Sequence, residues 1–233
     1  MWDAKRDWID WPRPFRWLIA GKVSCGKTTM ILNYLFKAGK GKGFDNIFLF
    51  HPNTYTSNVP LEDEMINANI INVAAQPVLE YTGVDYLPLA YIPSMTYFDN
   101  VAKKKNLVII DDIDITSYLK KRRETREERI NKLLSYVSSH KNLSIIISSQ
   151  DPSSQLPAFI MKMANVLTVY KPRDQYIIQT ISRKLSFDYK QLKKFLSICK
   201  TEHDSLTFDY IANSPAPYRY NIYKRVDVVE APT

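Results

Sequence analysis

Apolar positions along this chain fall in short runs separated by amphipathic stretches. Residues 17–21, WLIAG, form an apolar run that closes on a glycine, the pattern of a buried strand. Residues 27–38, KTTMILNYLFKA, read as a helix stopped by Gly39, and the KGKG that follows is a basic turn. Residues 46–50, NIFLF, give a second buried strand closed by His51 and Pro52. Between residues 53 and 105 the pattern supports little beyond loops and one helix near residues 61–68.

The periodicity sharpens at residues 107–110, a β-branched run that ends in Asp111 and Asp112. A polar stretch, TSYLKKRRETREER, leads into a helix with Ile130, Leu133, Leu134 and Val137 on one face. Residues 143–149, LSIIISS, read as a strand with polar residues at its C-terminal end. A helix over 155–164, a strand over 166–170, helices over 173–185 and 188–200, and strands over 205–210 and 220–226 complete the pattern. Strands alternating with helices predict an α/β fold whose mostly parallel central sheet is flanked by helices on both faces. The last two strands, close in sequence, are expected to pair antiparallel at its edge. The expected organisation is an N-terminal extension, 1–14, and one domain over 15–233.

Composition narrows the setting. The chain has 233 residues, 45% hydrophobic and 24% charged, ordinary values for a globular protein. No run of eighteen apolar residues is present, so no transmembrane helix and no membrane partner are expected. The start of the chain, MWDAKRDWIDWPRPFRW, lacks the apolar core of a signal peptide. Cys25 and Cys199 offer neither metal-ligand spacing nor a disulfide framework, which fits a reducing, intracellular compartment. The net charge of +8 suits a polyanionic partner, although a generic basic surface accounts for it equally well.

One segment carries chemistry outright. Gly21, Lys22, Val23, Ser24, Cys25, Gly26, Lys27 and Thr28 match G-x-x-x-x-G-K-[ST] at every fixed position, between a predicted strand and a predicted helix. Glycines let the backbone curl so that successive N–H groups surround phosphate oxygens, and the following helix aims its positive end at the same anion. Lys27 would reach the β- and γ-phosphates of ATP, the Thr28 hydroxyl would ligate Mg²⁺, and Thr29 would extend the phosphate contacts. Cys25 reads as a small filler within the loop.

A phosphate loop needs a carboxylate to hold Mg²⁺ at the tip of a neighbouring strand, and Asp111 has that position. Asp112, directly after it, is the candidate to polarise the attacking water, although Glu is commoner in that role. Asp114 reads as a helix cap or a solvated acid. Gln150, at the tip of the LSIIISS strand, has the place of the γ-phosphate sensor in additional-strand (ASCE, RecA-like) ATPases.

Taken together, GKVSCGKT, LVIIDD, HKNLSIIISSQ and the closing SLTFDY and YRYNIYK resemble the viral DNA-packaging ATPases of the FtsK/HerA superfamily. The likeness is nearest to the poxvirus-type packaging ATPase and its small relatives in double-stranded DNA viruses, virophages and Polinton-like elements. It implies an ATP-driven ring oligomer that threads double-stranded DNA into a capsid, with capsid or portal vertex proteins as partners. It also implies residence in the host cytoplasm or nucleus, or with the virion. In such rings an Arg from one subunit completes the neighbour's site. Relatives often carry Arg-His before the sensor strand, where this chain has Ser139-His140-Lys141. Arg122, Arg123, Arg126, Arg129, Arg183 and Arg219 are candidates. The run Lys120-Lys121-Arg122-Arg123 fits DNA contact, nuclear import or a plain surface helix. Trp2, Trp8, Trp11 and Trp17 are expected to staple the N-terminus to the core or to a neighbouring subunit. Two alternatives stay open: an AAA+-like replicative ATPase or helicase loader, and a nucleotide-gated assembly protein with little turnover.

Overall fold

The structure, a computed structural model, describes residues 11, 13–35, 44–50, 70–72, 105–112, 114–116, 130–172, 174–185, 187–211 and 217–226. Its frame is a nine-stranded sheet: β1 Arg16–Ala20, β2 Asn46–Phe50, β3 Ile70–Asn72, β4 Asn106–Ile110, β5 Leu143–Ser149, β6 Val166–Tyr170, β7 Ser205–Asp209, β8 Tyr218–Tyr220 and β9 Lys224–Arg225. The spatial order is β3-β2-β4-β5-β1-β6-β7-β8-β9. Pairing is parallel from β3 through β6 and antiparallel from β6 to β9.

Every residue of β4, β5, β6 and β7 is buried, so the centre of the sheet is covered on both faces. One face packs Leu18, Val108, Ile145, Leu167 and Phe208 against the later helices. These are the helical segment of Ile130, Leu133 and Leu134, which runs on into α2 (Ser138–His140), then α3 (Ala158–Met163), α4 (Gln175–Leu185) and α5 (Tyr189–Leu196). The other face packs Trp17, Ile19, Ile109, Ile146 and Tyr170 against α1, Lys27–Asn33. Trp11 belongs to that second cluster, with its ring 4.9 Å from Trp17 and 5.9 Å from Tyr34.

Buried polar groups in the sheet are tied across strands. The Trp17 indole N–H donates to Thr168 Oγ1 at 2.8 Å, and Thr168 and Thr207 share a hydroxyl hydrogen bond at 2.7 Å. This ladder links β1, β6 and β7 through the core, where an unpaired polar group would be costly.

The elements match the sequence pattern with five differences. The helix expected over 188–200 ends at Leu196, where Ser197 caps it with its N–H on the Lys193 and Lys194 carbonyls. The edge run over 220–226 is not one strand, because Asn221 and Ile222 turn into the left-handed region (φ 45° and 67°) and separate β8 from β9. The helix expected over 155–164 starts at Ala158, because Pro157 caps it and the preceding residues close a tight turn on Asp151. The helix around Ile130 widens to π geometry over Leu133–Val137 before α2, while Ile130, Leu133 and Leu134 are buried as the periodicity requires. A short strand, β3, lies in the stretch read as loops and one helix. The helix expected near residues 61–68, the basic run 120–123, Trp2 and Trp8 lie outside the described residues.

Candidate active site

The phosphate loop leaves the tip of β1 and returns into α1. Two left-handed residues make the bend, Ser24 (φ 61°) and Gly26 (φ 107°). The Gly21 N–H donates to the Ser149 carbonyl at 3.0 Å, which ties the loop's entrance to β5. At Gly21 a Cβ would lie 2.6 Å from the Cys25 sulfur and 2.7 Å from Tyr170 Cβ, so glycine is required by close approach. The Tyr170 hydroxyl donates to the Gly26 carbonyl at 2.9 Å and braces the loop from beneath. Cys25 is buried at the same place, and burial raises its thiol pKa. It fills space, as its size suggested.

Val23, Ser24, Thr28 and Thr29 are exposed at the loop and the first turn of α1, whereas Lys27 is buried. The Lys27 ammonium donates to the carbonyls of Gly21 (2.8 Å) and Lys22 (2.9 Å), which aims it across the mouth of the loop. Lys22 pairs with Glu202 on the turn before β7.

The acid pair and Gln150 are linked to this loop by hydrogen bonds. Thr28 Oγ1 donates to Asp111 Oδ2 at 2.9 Å. The other oxygen of Asp111 accepts from Ser148 Oγ, and Ser148 Oγ in turn accepts from the Asp112 backbone N–H at 3.0 Å. Gln150 Nε2 donates to Asp112 Oδ2 at 2.5 Å. One hydrogen-bonded chain, Thr28–Asp111–Ser148–Asp112–Gln150, therefore crosses from α1 through β4 to β5. Sheet order makes this possible, because β5 lies between the acid strand and the loop strand.

Asp112 adopts φ 57°, a conformation that Asp tolerates better than most side chains. Its Oδ1 is buried without a hydrogen-bond partner among the described residues. Such an oxygen has unused capacity to accept a hydrogen bond.

The residues present fit Mg²⁺. Thr28 and Asp111 present oxygen donors of one hydroxyl and one carboxylate, the hard set that this ion takes from proteins while keeping several waters.

Ser148 and Tyr170 were not singled out from the sequence. Ser148 carried a signal, the first of the polar residues that follow three isoleucines at the strand's end, while Tyr170 read only as the end of a strand. Gln155 is a third: its Oε1 accepts from Ser149 Oγ (2.8 Å), Gln150 N (3.0 Å) and Asp151 N (3.1 Å), fixing the loop that carries Gln150. Among the candidate arginines, Arg219 is buried in β8 and bonded to Asp209 Oδ2 at 3.1 Å, so it is committed within its own sheet. Arg183 is exposed on α4, and Arg122, Arg123, Arg126 and Arg129 lie outside the described residues.

A phosphate loop before α1, an acid-tipped strand and an intervening polar-tipped strand define a P-loop NTPase of the additional-strand class. The family described as Poxvirus A32 protein matches residues 9–211. The chain belongs to that family, the poxvirus-type packaging ATPases that its motifs resemble, and its role is that of a genome-packaging ATPase. Solved structures share the fold. The DNA-packaging ATPase of Sulfolobus Turreted Icosahedral Virus is 18% identical with TM-score 0.62, over 93% of this chain and 100% of that one. The genome packaging NTPase of Sulfolobus turreted icosahedral virus 2, in complex with AMPPCP, is 15% identical with TM-score 0.55, over 93% and 100%. The pCW3 conjugation coupling protein TcpA, with ATPgS, is 14% identical with TM-score 0.54, over 92% of this chain and 61% of that one. No curated protein matches this sequence. No helix among the described residues is long and apolar enough to cross a membrane.

Proposed function

We propose that this chain hydrolyses ATP to drive double-stranded viral DNA into a capsid. The observation that carries the hydrolytic part is the chain Thr28–Asp111–Ser148–Asp112–Gln150, which joins the phosphate loop, the acid pair and the sensor strand. Backbone N–H groups of the loop and the Lys27 ammonium bind the phosphates. Thr28 and Asp111 would hold Mg²⁺, which when bound offsets the charge on the β- and γ-phosphates.

Asp112 accepts the proton of the attacking water at Oδ1 while Gln150 holds its other oxygen. The water oxygen bonds to the γ-phosphorus, and the bond from that phosphorus to the β–γ bridging oxygen breaks, leaving ADP and phosphate. An arginine of a neighbouring subunit would stabilise charge developing on the transferred group, within a ring of identical subunits. Capsid or portal vertex proteins would receive the DNA, in the host cytoplasm or nucleus or at the virion.

Family membership and the net charge of +8 support DNA as the cargo. The AAA+ alternative called for a helical lid at the C-terminus, whereas the described residues end in the antiparallel strands β7 to β9. The test is the ATPase rate with and without linear double-stranded DNA, for wild type and Lys27→Ala. Turnover is expected to rise with DNA and to vanish in the variant. Turnover lost in the variant but indifferent to DNA in wild type would keep the nucleotide site and remove the motor.

A further inference from the structure

The catalytic groups fix which way a bound nucleotide points. Asp112 and Gln150 mark the γ-phosphate end, and they stand at the tips of β4 and β5, on one side of β1. A nucleotide laid along the loop therefore carries its nucleoside toward the other side of β1, over β6 and β7. The segment at that place is the turn 201–204, between α5 and β7. Because β7 runs antiparallel to β6, this turn lies at the same sheet edge as the phosphate loop. The Lys171 N–H just past β6 donates to the Asp204 carbonyl at 3.2 Å.

The turn touches the loop at two points, through the Glu202–Lys22 pair and through His203, whose Nδ1 is 3.1 Å from the Cys25 carbonyl. A carbonyl only accepts, so Nδ1 carries the proton and the ring is pinned by that edge. The turn itself is rigid, because Asp204 accepts from Lys200 N, Thr201 N, the Tyr220 hydroxyl and Asn221 Nδ2. Yet the His203 side chain is 65% exposed. A flat ring positioned by Nδ1 on the Cys25 carbonyl and by Nε2 3.8 Å from Glu202 Oε1, yet largely open to solvent on the flank of the loop away from Asp112 and Gln150, is a surface for another flat ring.

We propose that His203 is one wall of the base subsite, stacking against the heterocycle of the bound nucleotide. This rests on the nucleotide-binding reading above. The contact tolerates any base and favours purines, which have the larger π-face.

A role in positioning the loop through the Cys25 carbonyl makes different demands from stacking, so two substitutions separate them. His203→Asn keeps a donor and loses the flat ring, whereas His203→Phe keeps the ring and loses the donor. Affinities for AMP-PCP and for inorganic triphosphate, both with Mg²⁺, are measured by calorimetry on the full chain. His203→Ala and His203→Asn are expected to weaken AMP-PCP about tenfold and leave triphosphate unchanged, with His203→Phe within about threefold of wild type. Full AMP-PCP affinity in His203→Asn, or equal losses for both probes in His203→Ala, would overturn the proposal. Lys27→Ala tests the underlying reading separately: unchanged binding of both probes there would refute the phosphate loop itself.

Discussion

A single added carbon at Gly21 would meet the buried Cys25 sulfur at 2.6 Å and the Tyr170 Cβ at 2.7 Å, and the latter, bonded to the backbone, cannot swing aside. Gly21→Ala is therefore expected to cost about 1–3 kcal/mol of stability, read as a lowered urea midpoint, and to weaken nucleotide binding with it. Asp112 works differently. Its left-handed backbone and its Oδ1, unpartnered among the described residues, are costs to stability that the proposed water-activating role accounts for. Asp112→Asn keeps the shape and removes the base, so kcat should fall at least about 100-fold while nucleotide affinity changes little. Normal hydrolysis by that variant would overturn the water-activating role. Both positions were legible in the sequence because their spacing from neighbouring motifs named them. Ser148 was not, although its hydroxyl is what joins the two aspartates.

Among the elements, the antiparallel strands β7 to β9 carry most of what the sequence pattern left open. Arg219 in β8 and Asp209 in β7 form a buried pair, with side chains 10% and 2% exposed. Arg219→Met removes the cation and leaves the Asp209 carboxylate buried without it, a loss of about 3 kcal/mol expected in chemical denaturation. ATPase activity per folded molecule should persist, since Arg219 is turned into its own sheet. The turn before β7 adds a pH dependence. Burial alone would raise the Asp204 carboxyl, but donors from Thr201, Tyr220, Lys200 and Asn221 outweigh it and bring the pKa from 3.8 to about 2. A depressed carboxyl stabilises the fold fully above its unfolded pKa and loses that contribution as pH falls through the folded one. Between pH 4 and 2 the wild type should therefore lose thermal stability faster than Asp204→Asn, in melts recorded at matched ionic strength.

At the scale of the whole molecule, the active site is a consequence of strand order. The loop of β1 and the acids of β4 lie 83 residues apart along the chain at Thr28 and Asp111, yet these side chains meet at 2.9 Å. With β5 inserted between their strands, Ser148 reaches both acids and Gln150 reaches Asp112. On the other flank β6 and β7 bring Tyr170 and His203 to the same loop. One side of β1 thus gathers the acids and Gln150, and the opposite side gathers Tyr170 and His203 against the loop carbonyls of Gly26 and Cys25.

Local pattern located most strands because a strand buried on both faces reads as a nearly continuous apolar run, as in LVII, and in VLTV with its one hydroxyl paired inside. The phosphate loop was equally plain, since glycines, lysine and threonine at fixed spacing answer directly to phosphate geometry. Sequence order says nothing about which strand lies beside which, so the hydroxyl bridge of Ser148, the brace of Tyr170 and the reach of His203 emerged only from the folded sheet. The same holds for Arg219. Its charge made it a candidate for a neighbour's site, and only tertiary packing paired it with Asp209, because a buried guanidinium must find its carboxylate nearby.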